Sequence, residues 1–219
     1  MASIRARNSL SRTTGVTEAG LSLGRIDVKA GETVLICPAT GMFSNGAIAV
    51  ARALGLNVIA GGRNTESLDA LKDRFPGIQT IQLKGEQEGS SAIQALGPID
   101  GFVDVGPAAA TGTSYLASCI LCVRKGGRVC LMGGRGDTTL PVPYPFLMFQ
   151  NITLRGSLMY DDEDVKGLLK LAESGILKLN VEGGLGVLAS YLLEVYAKAL
   201  EKAKSCAEGK IVVVNPRVA

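Results

Sequence analysis

From Gly31 onward, short apolar runs rich in β-branched residues alternate with longer segments of helical periodicity, and this alternation constrains the fold more than any other feature. The first run is TVLIC (33–37), followed by a small-residue helix NGAIAVARAL (45–54) and a second run NVIAG (57–61). TESLDALKDRF (65–75) reads as a helix with Thr65 as N-cap and Leu68 and Leu71 on one face, ended by Pro76 and Gly77. TIQL (80–83), a helix around 90–96, GFVDV (101–105), a helix over 113–123, RVCLMG (128–133), ITLRGS (152–157) and a helix over 163–175 complete the series. Strands this continuously apolar are buried on both faces, and strands joined through helices run parallel. The expectation is an α/β fold with a doubly wound, parallel six-stranded sheet.

The tail breaks the alternation. LASYLLEVYAKALEKAKSCAEG (188–209) predicts a long amphipathic helix carrying Tyr191 and Tyr196, and KIVVV (210–214) predicts one more strand. The expected division is a tail or hinge segment over 1–30, the doubly wound domain over 31–178, and an appended helix and strand over 179–219.

Composition narrows the function. With 47% hydrophobic residues in 219, the chain can bury one substantial core. No apolar run approaches the roughly 18 residues of a membrane helix, so no membrane partner is expected. The start, MASIRARNSLSRTTG, is rich in Arg and Ser and reads as a cytosolic tail, with an organellar transit peptide as the alternative. Five cysteines lack the paired spacing of a metal site, and Cys119 and Cys122 form a CxxC inside apolar sequence, so buried thiols in a reducing, cytoplasmic setting are expected. The net charge of +3 is spread along the chain with only 5% aromatics, which gives no footprint for nucleic acid. The absence of histidine excludes Ser-His and Cys-His nucleophile pairs, imidazole acid–base work and zinc sites that rely on imidazole.

The stretch ICPATGMFSNGAIAV (36–50) joins the first strand to the first helix. In a doubly wound fold this turn sets backbone N–H groups against a phosphate. Gly41 permits close approach, while Thr40, Ser44 and Asn45 carry side-chain donors, although GxGxxG is not satisfied and a plain strand-to-helix turn is the alternative reading. The second strand ends VIAGGRN (58–64): Gly61 and Gly62 leave room, Arg63 offers a fork of donors, and no acid stands before Glu66. That pattern favours NADP(H) over NAD(H), because an acid would accept ribose hydroxyls and repel a 2′-phosphate; a solvated Arg63 is the alternative.

Together, GETVLICPATGMFSNGAIAVARALGLNVIAGGRN (31–64), DGFVDVGPAAATG (100–112), KGGRVCLMGG (125–134) and ITLRGSLMYDDEDVKGLLKLAESG (152–175) resemble the Rossmann cofactor domain of medium-chain, zinc-type alcohol dehydrogenases and quinone reductases. The resemblance implies that Thr40, Gly41, Met42 and Phe43 face the pyrophosphate and that Gly62, Arg63 and Asn64 face the adenosine phosphate. It implies that Val105, Gly106, Pro107, Gly133, Gly134 and Arg135 line the nicotinamide end. It further implies a homodimer through the apolar, proline-rich 140–158 region.

The chain departs from that pattern in three ways. Pro38 and Ser44 stand where the turn has its first and third glycines, and Pro38 removes a backbone donor. About thirty residues precede the first strand, where the resembled enzymes carry a GroES-like catalytic domain of roughly a hundred. The expectation is a truncated protein without zinc, in which the IVVV strand has lost its usual partner and needs cover.

Tyr115 and Tyr160 follow the fourth and sixth strands and are the candidate catalytic phenols, packing being the alternative role for each. DDED (161–164) reads as the charged first turn of a helix rather than a metal cluster. Three functions stand open: an NADP(H)-dependent oxidoreductase acting on a small molecule, a non-redox cyclase, isomerase or dehydratase reusing the crevice, and a non-catalytic nucleotide-binding scaffold.

Overall fold

The computed structural model describes residues 23–84, 86–106, 115–134, 139–140, 142–204 and 210–216. In chain order the elements are β1 (Thr33–Cys37), α1 (Met42–Ala53), β2 (Asn57–Gly62), α2 (Thr65–Arg74), β3 (Gln79–Gln82), α3 (Glu86–Gln94), β4 (Ile99–Asp104) and α4 (Tyr115–Leu121). They continue with β5 (Val123–Leu131), α5 (Tyr144–Gln150), β6 (Thr153–Gly156), α6 (Asp162–Glu173), β7 (Val187–Leu192), α7 (Tyr196–Lys204) and β8 (Ile211–Asn215). The first six strands form one parallel sheet in the order β3-β2-β1-β4-β5-β6. The doubly wound α/β reading therefore holds.

Alternation along β1 explains the two layers. Val34 and Ile36 join Ala47, Ile48, Val50 and Ala51 of α1, with Leu71, Phe75 and Leu168, on one face. Leu35 and Cys37 join Ile59, Phe102, Val129, Ile93 of α3, and Cys119 and Ile120 of α4 on the other. Period-two side chains on a strand covered twice must all be apolar, which is why TVLIC carries no polar residue after Thr33.

Part of the segment expected as a tail is core. Leu23 is fully buried and Ile26 is 3% exposed. A Cβ on Gly101 would come within 2.9 Å of Val28 Cγ1, so the bare glycine of β4 is what lets this segment cross the sheet. At the amino-terminal edge of the sheet, Glu32 accepts both Arg128 contacts at 2.7 Å and the Lys29 N–H at 2.7 Å. Asp100 accepts the Thr33 N–H at 2.7 Å and pairs with Arg124 at 2.5 Å. These bonds satisfy strand-end amides that would otherwise be buried without partners.

Several boundaries move. Asn64, not Thr65, caps α2: its Oδ1 accepts the Ser67 N–H at 2.8 Å. β5 starts at Val123 rather than at 128, through an irregular register between Ile99 and Gly101 of β4. The fourth helix therefore stops at Leu121. The acidic run 161–164 does cap a helix: Asp161 and Asp164 make a reciprocal capping box on α6, and Arg25 pairs with Asp164 at 2.6 Å and Asp161 at 3.3 Å.

The tail helix is the main correction. Residues 187–192 form β7, a single 3₁₀ turn covers Leu193–Val195, and only Tyr196–Lys204 is α-helical. β7 pairs in parallel with β8, so the IVVV strand has a partner within the chain, and Asn215 Nδ2 donates to Ser190 Oγ at 2.7 Å. The β-branched run of β8 needs a ladder partner, and that pairing overrides the helical spacing of the residues before it. Tyr191 thus sits on a strand.

Candidate functional site

β1 and β4 are neighbours in the sheet, yet α1 and α4 pack on opposite faces. Their connections diverge at the carboxyl ends, and this divergence opens the crevice where ligands of open α/β sheets bind. The turn after β1 closes on itself before it reaches the crevice. Ala39 N–H donates to Gly61 O at 2.7 Å, and Ser44 Oγ donates to Pro38 O. Ser44 is 2% exposed and Asn45 is fully buried. Two of the three side chains expected as phosphate donors, Ser44 and Asn45, therefore lie inside the turn.

What faces outward is backbone. Gly41 is the N-cap of α1 in an extended conformation and supplies no side-chain cap. The first N–H groups of a twelve-residue helix are thus left uncapped by any side chain, with the partial positive charge of the helix end behind them. Thr40 stands beside Gly41, and Met42 and Phe43, 37% and 41% exposed, flank the turn at the surface.

The end of β2 forms the adjoining floor. A Cβ at Gly61 would press on Cys37 Cβ and Sγ at 3.2 Å, and one at Gly62 would meet Leu68 Cδ2 at 3.1 Å and Thr40 Cγ2 at 3.6 Å. Both glycines keep this floor low. Arg63 follows, exposed, with its carbonyl accepting from Gln82 Nε2 at 2.9 Å. No ion pair among the described residues holds its guanidinium. Asn64 spends its side-chain oxygen on the α2 cap, so its amide group is the part that remains for a ligand.

On the other side of the crevice, Val105, Gly106, Gly133 and Gly134 come together. Val105 N–H donates to Cys37 O at 3.2 Å, and Gly134 N–H donates to Gly106 O at 3.3 Å. Pro107 and Arg135, expected to line the same end, lie outside the described residues.

Asp104, the last residue of β4, belongs to the site although no motif in the sequence marks it. It is 3% exposed and accepts the Tyr115 hydroxyl at 2.7 Å and the Gly106 N–H at 3.1 Å. Burial pushes its carboxyl above the usual carboxylate range, against the pull of the Tyr115 and Gly106 donors. Burial and the adjacent Asp104 carboxylate likewise push the Tyr115 phenol above its ordinary value. The detectable signal was an acid closing an apolar strand, eleven residues before a tyrosine. Tyr115 is therefore engaged with Asp104, whereas Tyr160 is 39% exposed after β6, following Met159 at φ 53°. The two candidate phenols are in different settings and are not brought together by a hydrogen bond.

The thiols Cys37, Cys119, Cys122 and Cys130 are free and buried. Burial raises Cys37 well above its ordinary value and Cys122 and Cys130 to about 11, which makes them poor nucleophiles. Among the described residues no group of three or more Cys, Asp or Glu is placed to hold a metal ion, and none of the helices is long and apolar enough to cross a membrane.

No curated protein matches the sequence. Among solved structures, the chain is similar to alcohol dehydrogenase TADH from Thermus sp. ATN1, with 22% identity and a TM-score of 0.76 over 95% of this chain and 58% of that one. The short chain alcohol dehydrogenase rspB from E. coli CFT073, complexed with NADH, matches at 16% identity and a TM-score of 0.74 over 92% of this chain and 57% of that one. CurA from Vibrio vulnificus, in complex with NADPH, matches at 17% identity and a TM-score of 0.67 over 94% and 63%. The chain thus spans little more than half the length of these proteins, and at such identities the likeness concerns the fold. The family model described as zinc-binding dehydrogenase matches residues 44–174, from within the first turn to the end of α6. That match covers more than half of the sequence, and with the sheet order and the crevice described above it means that this chain belongs to the zinc-binding dehydrogenase family.

Proposed function

We propose that the chain binds a nicotinamide dinucleotide, NADP(H) in preference to NAD(H), across the carboxyl ends of β1, β2 and β4, and serves as an oxidoreductase on a small carbonyl or alcohol substrate. One observation carries the reading: a twelve-residue helix begins at the switch point on Gly41 with no side-chain cap, next to a strand that ends Gly61-Gly62-Arg63 without an acid. Uncapped helix N–H groups suit a pyrophosphate, and a glycine floor followed by a guanidinium suits an adenosine ribose bearing a 2′-phosphate.

Thr40, Gly41, Met42 and Phe43 would hold the pyrophosphate, and Gly62, Arg63 and Asn64 the adenosine end. The bound nicotinamide would supply or accept the hydride. Val105, Gly106, Gly133 and Gly134 would carry the ring on backbone rather than side chains, which brings it close to the sheet and excludes water beneath it. Tyr160 is the phenol free to donate a proton toward a substrate oxygen. Zinc, implied by the family's description, does not fit the donor set: the chain has no histidine, and no described cluster can ligate a metal.

Titration of the purified protein with NADPH and NADH, followed by nicotinamide fluorescence, tests the reading. NADPH is expected to bind with a micromolar Kd and NADH more weakly. No binding at about 1 mM of either nucleotide would overturn the reading, and turnover of a small substrate without cofactor would replace it with the non-redox alternative.

We also propose that the chain is a homodimer through the 140–158 region. Tyr144, Met148 and Phe149 on α5 are 72%, 51% and 70% exposed, and Leu158 and Met159 are 88% and 51% exposed beside β6, the edge strand. An open strand edge flanked by large apolar side chains is suited to two-fold pairing with its own copy. Sedimentation equilibrium should return twice the chain mass; a single-chain mass at tens of micromolar protein would remove the proposal. The free buried thiols suit a reducing compartment such as the cytoplasm.

A further inference from the structure

A buried carboxylate sits between the ends of β4 and β5. Asp104 Oδ1 accepts both the Tyr115 hydroxyl at 2.7 Å and the Gly106 N–H at 3.1 Å, and Gly133 lies directly against Oδ2. The loops also touch directly, through Gly134 N–H to Gly106 O at 3.3 Å and Met132 N–H to Asp104 O at 3.0 Å. Neither turn has room for a side chain. A Cβ on Gly106 would overlap Tyr115 Oη, and one on Gly133 would overlap Gly106 O and lie 2.6 Å from Gly106 N and 2.8 Å from Asp104 Oδ2.

An isolated carboxylate is costly to bury, and an apolar residue would fill a strand end at lower cost. A carboxylate is, however, all acceptor. It can take donors from the loop after β4 and from the first residue of α4 on one oxygen while the turn after β5 packs against the other, where an amide would present an N–H to one of them. Each of these donors belongs to the wall of the crevice or to the helix behind it.

We propose that Asp104 and Tyr115 form a latch that fastens the two glycine turns into one wall and thereby fixes the pose of the nicotinamide end. Asp104 acts as a positioning residue through Gly106 and Gly133, and Tyr115 holds Asp104 in place. The second half of this inference rests on the nicotinamide-binding reading above; the first half does not.

The experiment compares Tyr115→Phe with the unaltered chain in two ways. Amide hydrogen exchange is measured at Gly106 and Gly134 in the cofactor-free protein, where loss of one bond to the carboxylate should speed exchange at least about tenfold. Binding is measured for NADPH and for 2′-phospho-ADP-ribose, which lacks the nicotinamide. NADPH affinity should fall about tenfold, while affinity for the shorter nucleotide stays within about twofold. Unchanged exchange overturns the latch. Equal losses for both nucleotides overturn the positioning role, because a merely structural defect would not single out the nicotinamide. If the unaltered chain binds the shorter nucleotide but not NADPH, or binds neither, the nicotinamide reading and the positioning role fall together while the exchange result still decides the latch. Asp104→Asn should give the same exchange pattern, and if it does not fold, Tyr115→Phe, which removes one hydroxyl, decides alone.

Discussion

Gly133→Ala is expected to lower the stability of the fold by about 3 kcal/mol and to displace the nicotinamide wall. The reason is space rather than backbone conformation, since Gly133 is not among the glycines with positive φ. The added carbon would overlap Gly106 O and stand 2.6 Å from Gly106 N and 2.8 Å from Asp104 Oδ2. Those atoms cannot turn aside: two are backbone just past the end of β4, and the third belongs to a carboxylate held through its other oxygen by Tyr115 and Gly106. Relief would require β4 and β5 to part at the crevice, breaking the Gly134 to Gly106 and Met132 to Asp104 backbone bonds. For a chain of this size the melting temperature should fall by about 6–12 °C. Gly156→Ala is the matched control, because a Cβ there would meet nothing within 4 Å. It should change stability by less than about 0.5 kcal/mol. A Gly133→Ala melting temperature within about 2 °C of the unaltered chain would mean that the two turns are not in contact as described.

The contrast between these two glycines bears on what the sequence could reveal. The six strands were legible because burial on both faces forces uninterrupted apolar runs, and nothing in a helix of similar length imitates TVLIC or GFVDV closely. β7 was not legible. Leu188, Tyr191, Leu192 and Val195 fall at helical spacing, and only the need of β8 for a parallel partner decides that they leave the helix. The capping error at Thr65 is of a different kind: Asn64 and Thr65 are both competent caps, and the angle at which the chain leaves β2 selects between them.

Within the site, residue type indicated what could donate but not which way it would point. Ser44 and Asn45 have the donors of a phosphate turn, yet packing turns both inward, and the helix end is left to backbone N–H groups. Pro38 and Ser44, which replace glycines, therefore belong together: the carbonyl of one accepts the hydroxyl of the other, and the turn is closed by a side chain where the glycine pattern would rely on close packing. Asp104 escaped notice because an acid at the end of an apolar strand reads as a solvated terminus until the glycine turns are seen closing over it.

Arg63→Ala is expected to raise the Kd for NADPH by about 30-fold and that for NADH by no more than about threefold. The position is well prepared for the task. β2 ends at Gly62, Leu83 N–H holds Gly62 O at 2.8 Å, and Gln82 holds the Arg63 carbonyl, so the backbone is fixed while the guanidinium stays in solvent. No described acid pairs with it, and Glu66 sits exposed in the first turn of α2, where the helix end already favours its charge. A guanidinium without a partner has its full set of donors for a phosphate, and binding such an anion replaces water rather than breaking an internal bond. Arg63→Lys should recover part of the NADPH affinity but not the bidentate component, leaving a loss of about threefold to tenfold. Because the contact is at the surface, the advantage of NADPH over NADH should also shrink as salt is raised from 0.05 to about 0.5 M. If Arg63→Ala weakens both nucleotides equally, the residue does not read the 2′-phosphate. The preference, if present, would then have to come from the glycine floor and the missing acid alone, and replacing Gly62 with aspartate would become the decisive substitution.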